Sequence, residues 1–587
     1  VTFIDKMLPK CDPSDKEGSL KLLEDLINNA AGIQQQVLEE ILNRNSNTEY
    51  LRGFLNGNTD KKMFKQKVPM VDYEDIKHYI EKIANGGASD IISAQPITEL
   101  LTSSGTSGGQ RKLMPTTAEE LERIVFFNNL MATVINRYID GLDKGKGMFL
   151  MFIKQEIITP SGLVARPAMT SYYKSSHFKK ISSSYTSPYE TIMCLDSKQS
   201  MYCQLLCGLI RRDEVVYIGT AFASVFLRAI KFLEEHWQEM CSNIRTGNVS
   251  DWITDKSCRS AVMNILRGPN SKLVNLIESL FHVKSWEGVI KKLWPGAKYV
   301  YVILTGSMAQ YIPMVDFYCG GLPLVSAGYA SSECYIGLNL NPLCQPYDVS
   351  YTLIPNMAYF EFIPVDKNGE AEGLVGEAID LVDVKLEKHY ELVVTTFTGL
   401  YRYRIGDILM VTGFYNNTPQ FRFVHRRNVV LSIDAEKTNE EDLQNAITRA
   451  RSIIEPLGCF LTDYTSFPDI SSMPGHYVLY WELKTRGGEA LPELRSTTLE
   501  QCCYRVEESL DYMYKKCRSE DKAIGPLEIR VVKYGAFDAL MDLFISQGSS
   551  VSQYKTPRCI KSDEALQILN ARMVASFFSQ NTPTLEP

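Results

Sequence analysis

The chain has 587 residues, of which 45% are hydrophobic and 22% charged, and it carries a formal net charge of −7. This is the composition of an ordinary globular protein able to bury a large core, and the acidic balance excludes a nucleic-acid binder that works through bulk positive charge. The length corresponds to about four domain-sized units, which large α/β enzymes often merge.

No apolar run is long enough to span a bilayer; the thirteen uncharged residues from Val215 to Leu227 read as a buried element. The first residues lack a basic region followed by an apolar core, so no signal peptide is expected and a cytoplasmic location is. The 14 cysteines are scattered without C-x-x-C pairs and read as reduced, mostly buried thiols. The seven histidines form no zinc-like spacing with them.

In chain order, LKLLEDLINNAAGIQQQVLEEILNRN has apolar residues at three- and four-residue spacing, so the first hundred residues are predicted helical. After the run TSSGTSGGQRK at 102–112, TAEELERIVFFNNLMATVI predicts a helix capped by Thr116 or Thr117, with glutamates in its first turn. Between 150 and 350, helical segments alternate with short apolar runs such as KYVYVILTG and GLPLVSAGYA, an α/β pattern. From Tyr351 to Phe423 the pattern is β-rich. The polar stretch VLSIDAEKTNE at 430–440 marks a predicted hinge, followed by mixed helices and strands.

Three segments carry candidate chemistry. In 102–112, Gly105-Thr106-Ser107-Gly108-Gly109 fits the G-x-S-x-G nucleophile pattern and also reads as a glycine-rich anion cradle. Seven small residues, Ser103–Gly109, followed by Arg111 and Lys112 suit a polyphosphate better than one exposed serine. The plainer reading is a flexible turn. GYASSECYIG at 328–337 follows the apolar run Leu322–Val325, so it is predicted at a strand end, where open α/β sheets bind ligands. Tyr329 can stack on a base there, and Glu333 is a hard oxygen ligand for Mg²⁺; alternatively the glutamate is simply solvated. In GLYRYRIGD, 399–407, alternation places Tyr401 and Tyr403 on one strand face and Arg402 and Arg404 on the other. Gly406-Asp407 then predicts a turn ending in a carboxylate suited to a ribose diol. A polar hairpin with arginines satisfied by acids is the competing reading.

This order of segments is the one found in adenylate-forming enzymes. The chain resembles the plant acyl-acid amido synthetase family, which conjugates auxin, jasmonate and benzoate hormones to amino acids. The stretches that carry the resemblance are TSSGTSGGQRKLMPTT, ARPAMTSYYKSSHF, YASSECYIGLNLNPLC, YTLIPNMAYFEF, GLYRYRIGD, NVVLSIDAEKT, PGHYVLYWE and YKTPRC, spread over nearly the whole chain. The resemblance implies an α/β, adenylate-forming (firefly-luciferase-like) large N-terminal domain over 1–432, with β-sheets and a β-barrel-like part. A smaller mobile α+β C-terminal domain over 433–587 would cap it.

It also implies two half-reactions: carboxylate and ATP give acyl-adenylate and pyrophosphate, then an amino acid's amine releases AMP. Positioning and charge stabilisation would carry such catalysis. By resemblance, Ser103, Ser104, Thr106 and Ser107 line the phosphates, with Mg²⁺ bridging oxygens. Tyr329, Ala330, Ser331, Ser332 and Glu333 surround the adenine and α-phosphate, with Glu333 toward the metal, and Asp407 holds the ribose. Lys437 and Lys555 come from the small domain as catalytic cations. Arg123 meets the acid's carboxyl end or polar tail, while Ala168, Met169, Gly328, Ala330 and Tyr335 shape a ring slot. Tyr534, Gly535 and Phe537 mark the amino-acid side.

Within the family the chain is most similar to the auxin-conjugating branch, but it departs from that branch at three places. It has Arg123-Ile124-Val125 where paired arginines and a serine are usual, Ala168-Met169 in place of Val-Leu, and Gly328 in place of methionine. These changes trade bulk for space beside the ring, so indole-3-butyrate is expected ahead of indole-3-acetate. The other expected partners are an amino acid and no nucleic acid, membrane or second copy. Four alternatives remain open: an acyl-CoA-type ligase, a jasmonate- or benzoate-type synthetase, a serine hydrolase acting through Ser107, and an inactive hormone-binding protein.

Overall fold

The computed structural model describes residues 8–107, 110–281, 285–366, 377–427, 430–433, 436, 438–472, 474–485, 495–519 and 522–585; the side chains of 104–107, 110, 111, 307, 310 and 430 are not described. Two compact units emerge, one of 1–200 with 324–424 and one of 201–323 with 425–587. The expected boundary at 432 is a different kind of division from these units. The second unit also takes in 201–323, which a boundary drawn along the chain does not show.

Among the described residues the first unit opens with five helices, Lys16–Asn28, Ala30–Asn45, Glu49–Leu55, Lys61–Lys67 and Tyr73–Ala84. Their starts follow side-chain chemistry: Asp15 accepts from the Gly18 amide, and Asp72 forms a reciprocal capping box with Asp75. Val37, Leu38, Ile41 and Leu42 form one buried stripe. On the same helix the buried Gln34 donates to the carbonyls of Pro355 and Ala358 and accepts from the Phe360 amide, tying helix to sheet. The predicted capped helix is Ala118–Tyr138; Thr117 stands at its N-cap without a side-chain bond.

A four-stranded sheet orders Gln110–Thr117, Ile97–Ser107, Val164–Pro167 and Ile157–Ile158. The β-rich stretch forms an eight-stranded sheet in the order Ile379–Asp380, Tyr359–Val365, His389–Thr395, Tyr403–Tyr415, Thr418–Arg426, Tyr351–Leu353, Tyr335–Leu338 and Gly328–Ala330. The last strand lies four places from Tyr403–Tyr415, roughly 19 Å in a flat sheet. Yet the Tyr329 hydroxyl reaches Asp407 at 2.7 Å, so the sheet curls strongly on itself, toward the barrel-like form.

In the second unit the strand Val215–Phe222 pairs in parallel with Val300–Ile303 and runs straight into the helix Ala223–Thr246. A separate four-stranded sheet orders Cys459–Asp469, His476–Thr485, Glu528–Val532 and Met573–Phe578. Side chains alternate across it. Tyr477, Leu479 and Trp481 pack with the helices Glu440–Arg451 and Ser496–Ser509, while Val478 and Tyr480 pack with Ala536–Ser546 and Asp563–Asn570. All fourteen cysteines are free thiols.

Candidate active site

Each of the three marked segments of the first unit sits at a break in strand pairing. In the 97–117 hairpin, Thr102 pairs with Leu113 and Thr106 with Arg111, so Ser103, Ser104 and Gly105 stand against the single residue Lys112. Between His389–Thr395 and Tyr403–Tyr415, Val393 pairs with Arg404 and Glu391 with Ile408. Ile405, Gly406 and Asp407 thus stand against Leu392 alone. Between the last two strands Tyr335 pairs with Ala330 and Gly337 with Tyr329, leaving Ile336 extra. Bulges of this kind take backbone groups out of the ladder and re-aim side chains. Gly406, at φ 84°, supplies a conformation that other residues reach only with strain.

Two expectations change here. The serine-rich run is not a free loop but two antiparallel strands, Ile97–Ser107 and Gln110–Thr117, paired as far as Ser107 with Gln110. A nucleophile elbow needs strand, sharp turn, then helix; among the described residues the element after Ser107 is the strand Gln110–Thr117, not a helix. Gly406-Asp407 is likewise no terminal turn, because the strand continues to Tyr415.

The arginines of GLYRYRIGD also depart from simple alternation. Regular strand begins only at Tyr403, and Arg402 takes a left-handed φ of 47°. Arg402 forks onto buried Glu361 (3.0 and 2.9 Å) and donates to the Val68 carbonyl; Arg404 forks onto Glu391 (3.1 and 2.6 Å). Tyr401 stacks on Tyr50, and Tyr403 is fully buried. All four side chains are therefore engaged within the fold, and Asp407 is the candidate this segment leaves. It is 5% exposed and accepts from Tyr329. The Tyr329 ring packs against Tyr351 (5.6 Å) and Phe423 (6.2 Å), so Tyr329 reaches the site through its hydroxyl.

Around Glu333 the chain makes a tight serine turn. Ser331 Oγ accepts from the amides of Glu333 (3.3 Å) and Cys334 (3.4 Å), which leaves Glu333 buried, Ser332 half-buried and Ala330 exposed. Among the described residues no cluster of three or more His, Cys, Asp or Glu is arranged to hold a metal. Mg²⁺ bound through substrate phosphates needs only one or two carboxylates; Glu333 is the carboxylate of this turn.

Beside this lies an aromatic cluster. The strand Val164–Pro167 runs parallel to Ile97–Ser107 with Pro167 opposite Thr102, so Ser103 and Ala168 follow the last paired residues side by side. Met169 and Tyr335 pack against a cluster of Ile124, Met151, Tyr172, Tyr173 and Phe178. Phe127 meets the Tyr335 ring edge-on at 5.1 Å. Gly328 is half-buried.

Arg123 is 1% exposed, its guanidinium 3.5 Å from the Phe397 ring centroid. Its polar contacts are long: 3.5 Å to the Asn356 carbonyl and 3.8 Å to Glu120, and Nε makes no hydrogen bond among the described residues. Burial lowers its pKa, with Glu120 opposing; burial raises that of Glu120, with Arg123 opposing. Helical spacing makes Glu119 or Glu120 the expected partner of Arg123, and Glu120 is the one found. Sequence reasoning missed Phe127, Tyr172 and Phe397; helical spacing from Arg123 gives Phe127, whereas Phe397 is reachable only through the fold.

In the second unit Lys555 is exposed, with Nζ 4.8 Å from the Phe222 ring centroid. Tyr534 is 44% exposed, with Lys231 and Lys484 ammonium groups 4.0 and 5.2 Å from its ring centroid. Gly535, at φ 93°, opens the helix Ala536–Ser546. Buried Glu482 accepts from the Gly535 (2.8 Å) and Phe537 (3.2 Å) amides. The Phe537 side chain is turned into the core with Val478 and Leu540, so Tyr534 is the member of this group that faces outward. Lys437 and the side chains of Ser104, Thr106 and Ser107 lie outside the described residues.

This arrangement has close relatives. The GH3 family N-terminal domain matches residues 19–324, the central domain 351–426 and the C-terminal domain 441–564. The indole-3-acetic acid-amido synthetase GH3.17 of Arabidopsis thaliana is 60% identical over 99% of both chains. The 4-substituted benzoates-glutamate ligase GH3.12 of the same plant is 53% identical, over 95% of this chain and 98% of its own. The solved AtGH3.15 acyl acid amido synthetase in complex with 2,4-DB matches at TM-score 0.93 and 54% identity, covering 99% of this chain and 100% of that one. Fold and site define an acid–amino-acid ligase, an enzyme that forms amide bonds. The chain belongs to the GH3 family.

Proposed function

We propose that this enzyme adenylates an auxin-type carboxylic acid with ATP and transfers the acyl group to an amino acid, releasing pyrophosphate and then AMP. In the first step a carboxylate oxygen attacks the α-phosphorus as the bond to pyrophosphate breaks. In the second, the amine attacks the acyl carbon, AMP leaves and the amine gives up a proton. The observation that carries this reading is the set of three pairing breaks at Ser103–Gly105, Ile336 and Ile405–Asp407. Bulges of this kind re-aim backbone and side chains, and a phosphate cradle would be built from such irregular backbone.

Ser103, Ser104, Thr106 and Ser107 would line the phosphates and Glu333 would contribute to Mg²⁺. Ala330, Ser331 and Ser332 would flank the nucleotide. Asp407, oriented by Tyr329, would accept from the ribose. Arg123 would take the acid's polar end, since a buried guanidinium with only long polar contacts has donors to spare. Ala168, Met169, Gly328 and Tyr335 would form the ring slot, whose small members favour indole-3-butyrate over indole-3-acetate. Residues 433–587 would act as a moving cap that brings Lys437 and Lys555 to the reacting groups, with Tyr534 and Gly535 toward the amino acid. No helix among the described residues is long and apolar enough to cross a membrane, and a cytoplasmic monomer fits this reading.

The test is ATP–pyrophosphate exchange with a panel of carboxylic acids and no amino acid. Exchange that depends on an indole acid, with kcat/KM rising from acetate to butyrate side chains, is the expected result. Absence of acid-dependent exchange would sink the adenylation reading; a flat or inverted length series would sink only the butyrate preference.

A further inference from the structure

The stretch YKTPRC alternates strictly around Lys555. Tyr554, Thr556, Arg558 and Ile560 are buried, whereas Lys555 is exposed and Pro557 and Cys559 are half-buried. Alternation without a regular strand needs anchors, and one carboxylate supplies them. Asp463 Oδ2 accepts from Thr556 Oγ1 and from the Tyr311 hydroxyl, both at 2.7 Å. Asp463 Oδ1 accepts from Arg558 Nη1 at 2.9 Å and from the Tyr464 amide at 2.7 Å.

The backbone adds to this. The Ser466 amide donates to the Arg558 carbonyl at 2.9 Å, and the Ile560 amide donates to the Ser466 carbonyl at 2.8 Å. Upstream, Ser224 Oγ donates to the Tyr554 carbonyl at 3.2 Å. Arg558 lies over the Tyr464 ring and is 2% exposed.

We propose that Asp463 is a positioning residue for Lys555. By holding Thr556 and Arg558 inward it directs the side chain between its anchors outward, and through Tyr311 it fixes this stretch to residues of the 201–323 segment. A buried charge pair is about neutral for stability when compared with apolar residues of equal volume. What Asp463 adds that such residues would not is fixed direction: four donors converge on one carboxylate and leave the 554–560 backbone a single register. The proposal rests on the reading of Lys555 as a cation of the reaction.

The experiment is a double-mutant cycle on amide synthesis and on thermal unfolding. Thr556→Val and Tyr311→Phe each remove one hydroxyl with little change in shape, so folding survives even where Asp463→Asn fails. In the Lys555 background each is expected to lower kcat about 5- to 10-fold with KM for the acid within about 2-fold; in a Lys555→Ala background the same changes should lower kcat less than about 2-fold. Their effect on Tm should be equal in both backgrounds. Equal losses of kcat with and without Lys555, or no loss at all, would overturn the proposal and leave Asp463 a purely structural group. If Lys555→Ala alone retains full activity, the assignment of Lys555 fails and the positioning role falls with it.

Discussion

Tyr329 and Asp407, 78 residues apart in the chain, are joined by a 2.7 Å hydrogen bond in which the tyrosine hydroxyl donates to a buried carboxylate. One belongs to the edge strand of the eight-stranded sheet and the other to a bulge in the fourth strand counted from the opposite edge. The bond therefore fixes the direction of the carboxylate across the curled sheet. Tyr329→Phe removes the donor and keeps the ring packing. Hydrogen bonds to charged groups contribute about 1.5–3 kcal/mol, so KM for ATP is expected to rise about 10-fold with kcat within about 2-fold. Asp407→Ala should raise it further. Exchange kinetics at varied ATP provide the measurement, and an unchanged KM in both variants would remove Asp407 from the nucleotide site.

Arg123 makes a different kind of prediction, because its burial is not matched by close partners. Arg123→Met keeps the stem over Phe397 and removes a costly buried charge. Thermal stability should hold or rise slightly, while KM for the carboxylic acid rises at least about 10-fold and KM for ATP stays put. A variant that loses stability but binds the acid normally would make Arg123 a structural residue.

For Arg402 the expectation is reversed. Its fork onto Glu361 is buried on both sides, and burial raises the Glu361 pKa, with Arg402 the main opposing influence. Removing one partner of such a pair strands the other and costs about 3–5 kcal/mol. Arg402→Met should lower the denaturant midpoint accordingly while leaving substrate KM values of the remaining folded enzyme within about 2-fold. A large KM effect at normal stability would show that this arginine touches substrate after all.

Glu482 sets a pH dependence. Burial first, and Asp538 second, push its carboxyl from 4.5 to about 7, against the pull of Lys231 and the Phe537 amide. Between those values the folded chain keeps a proton that the unfolded chain has lost. Stability therefore falls as pH rises from 4.5 to about 7 and levels off above. A displacement of this size is worth up to about 3 kcal/mol. Glu482→Gln keeps an acceptor for the Gly535 and Phe537 amides and cannot titrate. Its Tm should gain on the wild type across that window, as read by thermal unfolding from about pH 4 to 8.5. A constant difference across the range would show that Glu482 ionises normally in the folded chain.

Elements with strong local signals were legible in the chain before folding. Helical periodicity through residues 16–45 and the β-rich stretch from Tyr351 are properties of neighbouring residues, and each lies where local chemistry puts it, whereas the serine-rich run, expected as a loop, pairs as strands. Tertiary structure alone decided which members of the candidate segments do what. Alternation in GLYRYRIGD treated both arginines alike and as strand residues. Glu361 and Glu391, brought in by neighbouring strands, bind them both, and a bulge three residues long isolates Asp407. Phe537 lay within a plausible binding stretch until the sheet turned its ring into the core. Strand register, bulges and buried ion pairs depend on residues tens to hundreds of positions apart, and only the folded chain brings Tyr329 to Asp407, or Tyr311 to Asp463.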